Sequence, residues 1–394
     1  MLGEGAHETY ADIRALPVMS KDLHIVCLDV PWPADYGGAI DMMNRIKAFH
    51  EAGISIHLHY FSYNERGTPN ELNGFCKSIN IYDREKLGTG LSLKLPYIVS
   101  SRMNQGLIEK LNEDNFPILL EGIHCTGVLQ GIDTKERKVV VRMHNEESIY
   151  YKELARAEPS VLKKLFFFKE SRLLKQYTHH LPGDCTYACL SESDKHAFED
   201  VYHLPNVELL PIFPSWQDVT GEEGQGNFCL YHGNLSVPEN EEAAAWLLCK
   251  VFTNARAPFI IAGKKPSKRL RKLAELCQHT CLVADPSESE MNDLVRKAHI
   301  NVLPCFNKEV TGIRLKLLHA LFEGRHCIVN DPMIEGTGLQ DACYVGANAN
   351  AFASLIMELF HQPYTREEIK LRKELLGKTY DNARNTRQLI QWLW

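Results

Sequence analysis

Apolar positions recur along this chain in two alternating spacings. Residues 23–30 form a short apolar run of strand type, followed by the turn-rich Pro31-Trp32-Pro33-Ala34-Asp35-Tyr36-Gly37-Gly38. Ile40, Met43, Ile46 and Phe49 then recur at helical spacing until Gly53. Ile54, Ile56, Leu58 and Tyr60 alternate as a strand. Strand, loop, helix, strand is the repeating unit of a parallel sheet. Further strands are predicted at 118–120, 138–142 and 185–190, and helices at 162–177 and 193–201.

The pattern breaks at Pro211-Ile212-Phe213-Pro214 and the polar, glycine-rich stretch 220–226, the best linker in the chain. The alternation then restarts. Strands are predicted at 228–232, 258–262, 281–284, 301–304 and 327–330, with helices between them. Ser236-Val237-Pro238-Glu239, Ser287-x-x-Glu290 and Thr365-x-x-Glu368 read as capping boxes. The expectation is an α/β chain of two doubly wound, Rossmann-like domains facing across a cleft. The parts are an extension over 1–20, domains over 21–214 and 227–375, and a C-terminal helix over 376–394 that crosses back to the first domain. Ligands of such sheets bind beyond the carboxyl ends of the strands, so function is sought in the strand-to-helix loops.

Composition narrows the chemistry. The 394 residues carry 44 Lys+Arg against 50 Asp+Glu, a net −6, so no global basic field draws nucleic acid. The 12 cysteines are scattered without a C-x-x-C pair, and no secretory pattern opens the sequence; reduced thiols in a cytoplasmic chain are expected. No apolar run reaches the roughly 18–20 residues that span a bilayer, leaving a membrane surface as the one lipid contact to consider. There is no G-x-x-x-x-G-K-[ST], no G-x-G-x-x-G after a strand, no H-E-x-x-H and no G-x-S-x-G. The 17 His residues, the pair His179-His180 included, show no ligand spacing, so no metal and no cofactor is expected.

Several loops remain. Gly37-Gly38 between a strand and a helix either brings backbone N–H groups close to an anion or makes a tight turn. Arg314 and Lys316 follow Gly312 in the first turn or so of a helix carrying Leu315, Leu318 and Phe322 on one face. Cations there oppose the helix dipole, and a docked phosphate removes the conflict; solvated pairing with Glu309 is the alternative. Arg142-Met143-His144-Asn145-Glu146-Glu147 ends an apolar strand in polar groups. His144 and Asn145 can bond a sugar hydroxyl or leaving-group oxygen, and Asn145 can also cap the next helix. Glu121-Gly122-Ile123-His124 is a similar strand end that reads rather as structural, with Glu121 a sugar or acceptor contact if it is not. Asp285-Pro286 reads as a turn, and Gly336-Thr337-Gly338-Leu339 as a second backbone nest. Residues 162–169 are basic and strongly apolar; a core helix with a solvated basic edge is preferred to a contact with anionic lipid.

On these residues the chain resembles the nucleotide-sugar-dependent glycosyltransferases of the GT-B fold, specifically the retaining group called family 4 or group 1. Gly37-Gly38 is similar to the family's glycine-rich loop, and Arg142-x-His144-Asn145-x-Glu147 to its polar strand end. Ser191-Glu192-Ser193-Asp194 matches its S-x-x-D, and Tyr231-His232-Gly233-Asn234 before Pro238-Glu239-Asn240 resembles the loop opening its donor domain. Gly312-x-Arg314-x-Lys316 leading to Ala320-Leu321 and Gly324 matches its diphosphate-binding segment. Thr311 and His319 stand where the family often carries two glutamates, the second of which grips the ribose.

The resemblance implies sugar transfer from a nucleoside diphosphate donor to a glycan or lipid-linked hydroxyl, as in polysaccharide assembly. His144, Arg314 and Lys316 would be catalytic. Gly37, Gly38, Gly233, Asn234, Gly312, His319 and Gly338 would hold the donor, and Glu121 and Asn145 would meet sugar or acceptor. The nucleotide sugar is a substrate, so no cofactor is implied. A non-catalytic sugar-nucleotide or glycan binder and a sugar-nucleotide 2-epimerase are the alternatives.

Overall fold

The computed structural model describes residues 21–62, 66–67, 69–306 and 315–394. The extension over 1–20, Thr311, Gly312 and Arg314 lie outside the described residues. Two wholly parallel sheets follow one another along the chain. The first is built from β1 (Asp22–Cys27), β2 (Ser55–Ser62), β3 (Ser78–Asp83), β4 (Ile118–Glu121), β5 (Val139–Met143), β6 (Thr186–Cys189) and β7 (Val207–Leu209), in the order β3-β2-β1-β4-β5-β6-β7. The second has β8 (Cys229–His232), β9 (Phe259–Gly263), β10 (Thr280–Ala284), β11 (Ile300–Leu303), β12 (His326–Val329) and β13 (Tyr344–Val345), in the order β10-β9-β8-β11-β12-β13. Strand order reverses between β1 and β4 in one sheet and between β8 and β11 in the other. Such switch points open the crevices where ligands enter.

Central strands are covered on both faces, which is why they read as continuous apolar runs. Ile56, Leu58 and Tyr60 of β2 face a core shared with Met42, Met43, Ile46 and Phe49 of the helix Gly37–Glu51. Leu389 and Leu393 of the last helix, Asn382–Leu393, join this same core, so the chain's end packs on its first sheet. The opposite face of β1 and β2 carries His24, His57 and His59. His24 Nδ1 is 2.8 Å from His59 Nε2, and His24 Nε2 is 3.1 Å from an Asp114 oxygen. His57 bonds Asp22 and Ser78, and His59 bonds Tyr82, so polar groups inside the sheet are matched to one another.

The structure departs from the sequence pattern in instructive places. β1 stops at Cys27, because Leu28 to Val30 turn away toward the proline-rich loop. β3, β7 and β13 lie at sheet edges; short or partly exposed strands lack the apolar signal. The helix Glu192–His196 continues into a π turn over Ala197–Val201, as Pro238–Trp246 does into Leu247–Val251. Ser287 and Thr365 form capping boxes with Glu290 and Glu368. Ser236 does not: its hydroxyl bonds Asn234, and Val237 takes the N-cap position ahead of Pro238. Nor does Asn145 cap its helix, since Glu146 does so through its own side chain to the Ile149 N–H. The stretch 162–169 is not a core helix either. It lies in the helix Val161–Thr178, whose first nine residues are exposed or half-buried, and only the second half packs inward at Glu170, Leu173, Leu174 and Thr178. Among the described residues no helix is long and apolar enough to cross a membrane.

Candidate active site

The carboxyl ends of β4 and β5 meet the helix Gly37–Glu51 in a buried ionic network. Glu121, the last residue of β4, accepts from Arg45 Nε at 2.8 Å and Nη2 at 2.9 Å. Arg45 Nη2 also reaches Asp41 Oδ2 at 2.7 Å, one helical turn earlier. Arg142 of β5 donates to the same Asp41 oxygen at 3.2 Å and to the carbonyl oxygens of Leu210 and Pro211. The other Asp41 oxygen accepts the Phe213 N–H at 2.8 Å. All four side chains are at most 1% exposed. Two guanidinium groups balance two carboxylates, the condition for burying charge at all.

His144, just after β5, joins this network. Its Nε2–H donates to Glu121 Oε2 at 3.0 Å, and its Nδ1 lies 3.9 Å from Asp41 Oδ2. Burial pushes the Asp41 carboxyl up in pKa, but Arg142 and Arg45 outweigh it and hold the group well below the carboxylate range. Glu121 is likewise raised by burial and brought down further by Arg45 and His144. Both carboxylates are therefore charged at neutral pH. They fix the imidazole in one tautomer and orientation. Gly122, at φ +85°, lets the chain turn between His124 and His144; a Cβ there would lie 2.9 Å from His124 Nδ1.

Asp41, Glu121 and His144 bring ligand atoms within 4.8 Å of one another. The donor set does not suit a cation, because the carboxylate oxygens already accept from Arg45, Arg142 and a backbone N–H. Asn145 Nδ2 donates to Glu147 Oε1 at 3.3 Å, and burial raises the Glu147 carboxyl to about 7 despite that bond.

Gly37 begins its helix with no side-chain cap and no acid in the first turn, so the first N–H groups have no carboxylate partner from that turn. A Cβ on Gly37 would sit 3.5 Å from Leu315 Cδ1. Leu315 is the first described residue of the helix Leu315–Glu323 in the second domain. The starts of two helices from opposite domains thus meet. Gly38 packs on Tyr36.

Lys316 is next to Leu315, and its Nζ lies 2.9 Å from Asn240 Oδ1, 3.4 Å from Tyr231 OH and 5.1 Å from the centre of the Tyr231 ring. Gly233 and Asn234 follow β8; Asn240 Nδ2 donates to Asn234 O, and a Cβ on the neighbouring Gly263 would fall 1.9 Å from Gly233 O. Lys316 and the Gly233-Asn234 loop are therefore tied together through Asn240.

His319 is buried. Its ring stacks on Trp216 at 4.7 Å and 15°, meets His232 edge-on at 5.4 Å, and its Nε2 lies 3.3 Å from Glu323 Oε2. Gly338, at φ +69°, sits in open space in the loop whose Gly336 lies against Ser193 of the first domain.

The structure brings His144 and Glu121 into one network and Lys316, Gly233 and Asn234 into another, with Gly37 touching the helix that carries Lys316. Asp41, Arg45 and Trp216 are not evident in the sequence reading. A signal for the first two exists: Arg142 inside an apolar strand requires a buried anion. Trp216, in the linker, carries no pattern.

No family model matches the chain. An uncharacterized 44.6 kDa protein in the cps region of Klebsiella pneumoniae is 26% identical over 338 residues, covering 80% of this chain and 84% of that protein. Sucrose-phosphate synthase from Thermosynechococcus elongatus superposes with a TM-score of 0.66 at 14% identity, over 94% of this chain and 98% of that one. TarM gives 0.66 at 11% over 97% and 99%, and Arabidopsis thaliana UGT89C1 complexed with UDP-L-rhamnose gives 0.55 at 12% over 95% and 99%. The two parallel-sheet domains therefore have the GT-B architecture of these glycosyltransferases.

Proposed function

We propose that this chain is a glycosyltransferase of family 4 type, moving a hexose from a nucleoside diphosphate sugar to a hydroxyl of a glycan or glycolipid with retention. In this reading it works in the cytoplasm, in polysaccharide assembly, without metal or cofactor. The observation that carries it is the meeting of Gly37 with Leu315, which sets an uncapped helix start of one domain beside Lys316 of the other.

The barrier to such a reaction is charge separation, as the diphosphate departs and the sugar becomes oxocarbenium-like. Lys316 and the N–H groups at Gly37 and Gly38 stabilise the leaving anion where water is excluded. Arg314 and Gly312 belong to the same anion site in this reading, and Gly233, Asn234, His319 and Gly338 contact the rest of the donor. His144, oriented by Glu121, lies toward the anomeric centre and polarises a neighbouring sugar hydroxyl. Asn145 meets sugar or acceptor. Glu121 acts through His144, because its own oxygens are taken by Arg45 and His144.

A second reading, a non-catalytic sugar-nucleotide binder, is favoured by one observation. The ring at His319 is stacked on Trp216 and turned to Glu323, so no free carboxylate is offered there to a ribose. Incubation with a panel of radiolabelled UDP- and GDP-sugars separates the readings. Slow release of UDP or GDP, reduced in Lys316→Ala, is expected. Tight binding without release makes the chain a binder, and interconversion of two donor sugars makes it an epimerase; either result overturns the transferase.

A further inference from the structure

The first half of the helix Val161–Thr178 packs through Phe167 on Tyr151 and leaves its other side uncovered. Val161, Leu162 and Leu165 are 70%, 81% and 62% exposed, and Phe168 is also exposed. A water-facing helix of a globular domain normally buries such residues on one stripe. Here Leu162 and Leu165 share a stripe with Lys169, at spacings of three and four, and that stripe is solvent-facing.

The exposed surface continues into a second segment. Lys169 Nζ lies 3.4 Å from Ser92 O, and the buried Glu170 carboxylate accepts the Tyr97 N–H at 2.6 Å. These bonds clamp the loop over residues 86–96 against the helix, and that loop presents Leu91 and Leu93, the latter 85% exposed. A protruding apolar surface made by two clamped segments exceeds the scattered exposed leucines of an ordinary surface.

Within the two segments the charge is all positive, with Glu85 and Glu158 just outside their edges. Residues 86–96 and 161–169 contain Lys86, Lys94, Lys163, Lys164 and Lys169 and no Asp or Glu, on a chain whose net charge is −6. Apolar side chains interleaved with lysines, whose long stems let the ammonium groups rise away from an apolar phase, match the interface of an anionic bilayer.

From this we infer that the helix start at 161–169 and the loop 86–96 form a docking surface for an anionic lipid membrane. Val161, Leu162, Leu165, Phe168 and Leu93 enter the headgroup boundary, and the lysines pair with lipid phosphates. The surface stands apart from the proposed sugar transfer, and its binding is read without turnover. The helix Glu147–Ala157 packs along Val161–Thr178, and Ser171 Oγ donates to Ser148 O at 2.7 Å, so residues 161–169 lie at the end of this helix pair remote from His144.

Vesicle sedimentation of the full chain tests this. Vesicles of phosphatidylcholine with phosphatidylglycerol should bind it at least about tenfold more tightly than phosphatidylcholine alone, and rising salt should weaken the binding. Leu162→Ser with Leu165→Ser, and separately Lys163→Glu with Lys164→Glu, should each cut binding about tenfold or more while thermal unfolding stays unchanged. Leu93→Ser, in the loop, provides an independent variant if a helix variant misfolds. Equal or absent binding to the two vesicle types overturns the proposal. So does concentration-dependent self-association that Leu162→Ser with Leu165→Ser abolishes, which would make the patch a contact between copies of this chain.

Discussion

His144 donates from Nε2 to Glu121 Oε2 at 3.0 Å, while Arg45 clamps both oxygens of the same carboxylate. The imidazole is therefore an appendage of the ionic network rather than one of its supports. His144→Ala removes the appendage and leaves Glu121 paired with Arg45. Nucleotide release in the proposed reaction should fall at least about a hundredfold, with the urea midpoint almost unmoved. A fall in the midpoint equal to that of Arg45→Met would show that the ring is structural.

Arg45 behaves in the opposite way. It is fully buried and bonds Asp41 and Glu121, so Arg45→Met leaves two buried carboxylates facing the single guanidinium of Arg142, with Glu121 bonded only by His144. Removing one partner of a buried pair costs about 3–5 kcal/mol, and equilibrium urea unfolding should report a loss of that order. A loss below about 1 kcal/mol would mean that water reaches the network.

Lys316 is held by Asn240 and Tyr231 rather than reaching freely into solvent. Lys316→Ala should reduce kcat/KM for the donor by about tenfold or more, at least ~1.4 kcal/mol of transition-state stabilisation. Asn240→Ala, which leaves the charge but frees it, should give a smaller loss, mostly in KM. Equal kinetics for wild type and Lys316→Ala would remove the lysine from the anion site.

How legible these groups are in the sequence follows from the physics of burial. Strands such as β4 and β5 are covered on both faces and announce themselves as apolar runs, so the polar residues at their ends, Glu121 and His144, are visible by contrast. Asp41 and Arg45 sit in a helix that ordinarily turns such residues to water, and only the fold shows that this helix is buried on more than one stripe. The same ambiguity runs the other way at 162–169. Apolar helical spacing predicts a core, and nothing local reveals that the covering layer is missing. Edge strands β3, β7 and β13 escape notice because pairing on one side needs few apolar residues. Trp216 acts through a stacking partner about a hundred residues away, and His319 alone gives no hint of it.

Gly263 offers a test of the proposed donor loop that changes no polar side chain. A Cβ at this position would fall 1.9 Å from Gly233 O, a backbone atom that can move only if β8 and β9 shift or the Gly233-Asn234 turn reorganises. Gly263→Ala should destabilise the second domain by about 1–3 kcal/mol, the usual cost of overpacking. It should also weaken donor binding more than Gly377→Ala does, since Gly377 lies within the helix Arg366–Thr379 with open space around it and no positive φ. Calorimetric titration with the donor identified by the release assay reads this, and equal affinities for the two variants would detach the turn after β8 from the donor.

The histidines between β1 and β2 make the last prediction one of pH. Burial pushes His59 down to about 3, with His24, His57, Lys110 and Arg137 opposing a further positive charge, and His24 is lowered chiefly by burial although Asp114 pulls it up. In the unfolded chain both rings titrate near 6.5. Below that pH the unfolded state takes up protons that the folded state refuses, so stability falls as pH drops from about 6.5 toward 3, by up to ~1.4 kcal/mol per pH unit for each proton. Above 7 the contribution is complete and flat. Asp41 and Glu121, held low, lose their stabilisation only as pH falls through the carboxylate range, so the histidine slope comes first on acidification. His59→Phe packs the site without a titrating group and should flatten the stability profile between pH 6.5 and 5, even if its stability at pH 8 is lower because His24 and Tyr82 lose a partner. Urea midpoints measured across that range decide it, and an unchanged slope in the variant would place the acid sensitivity elsewhere in the fold.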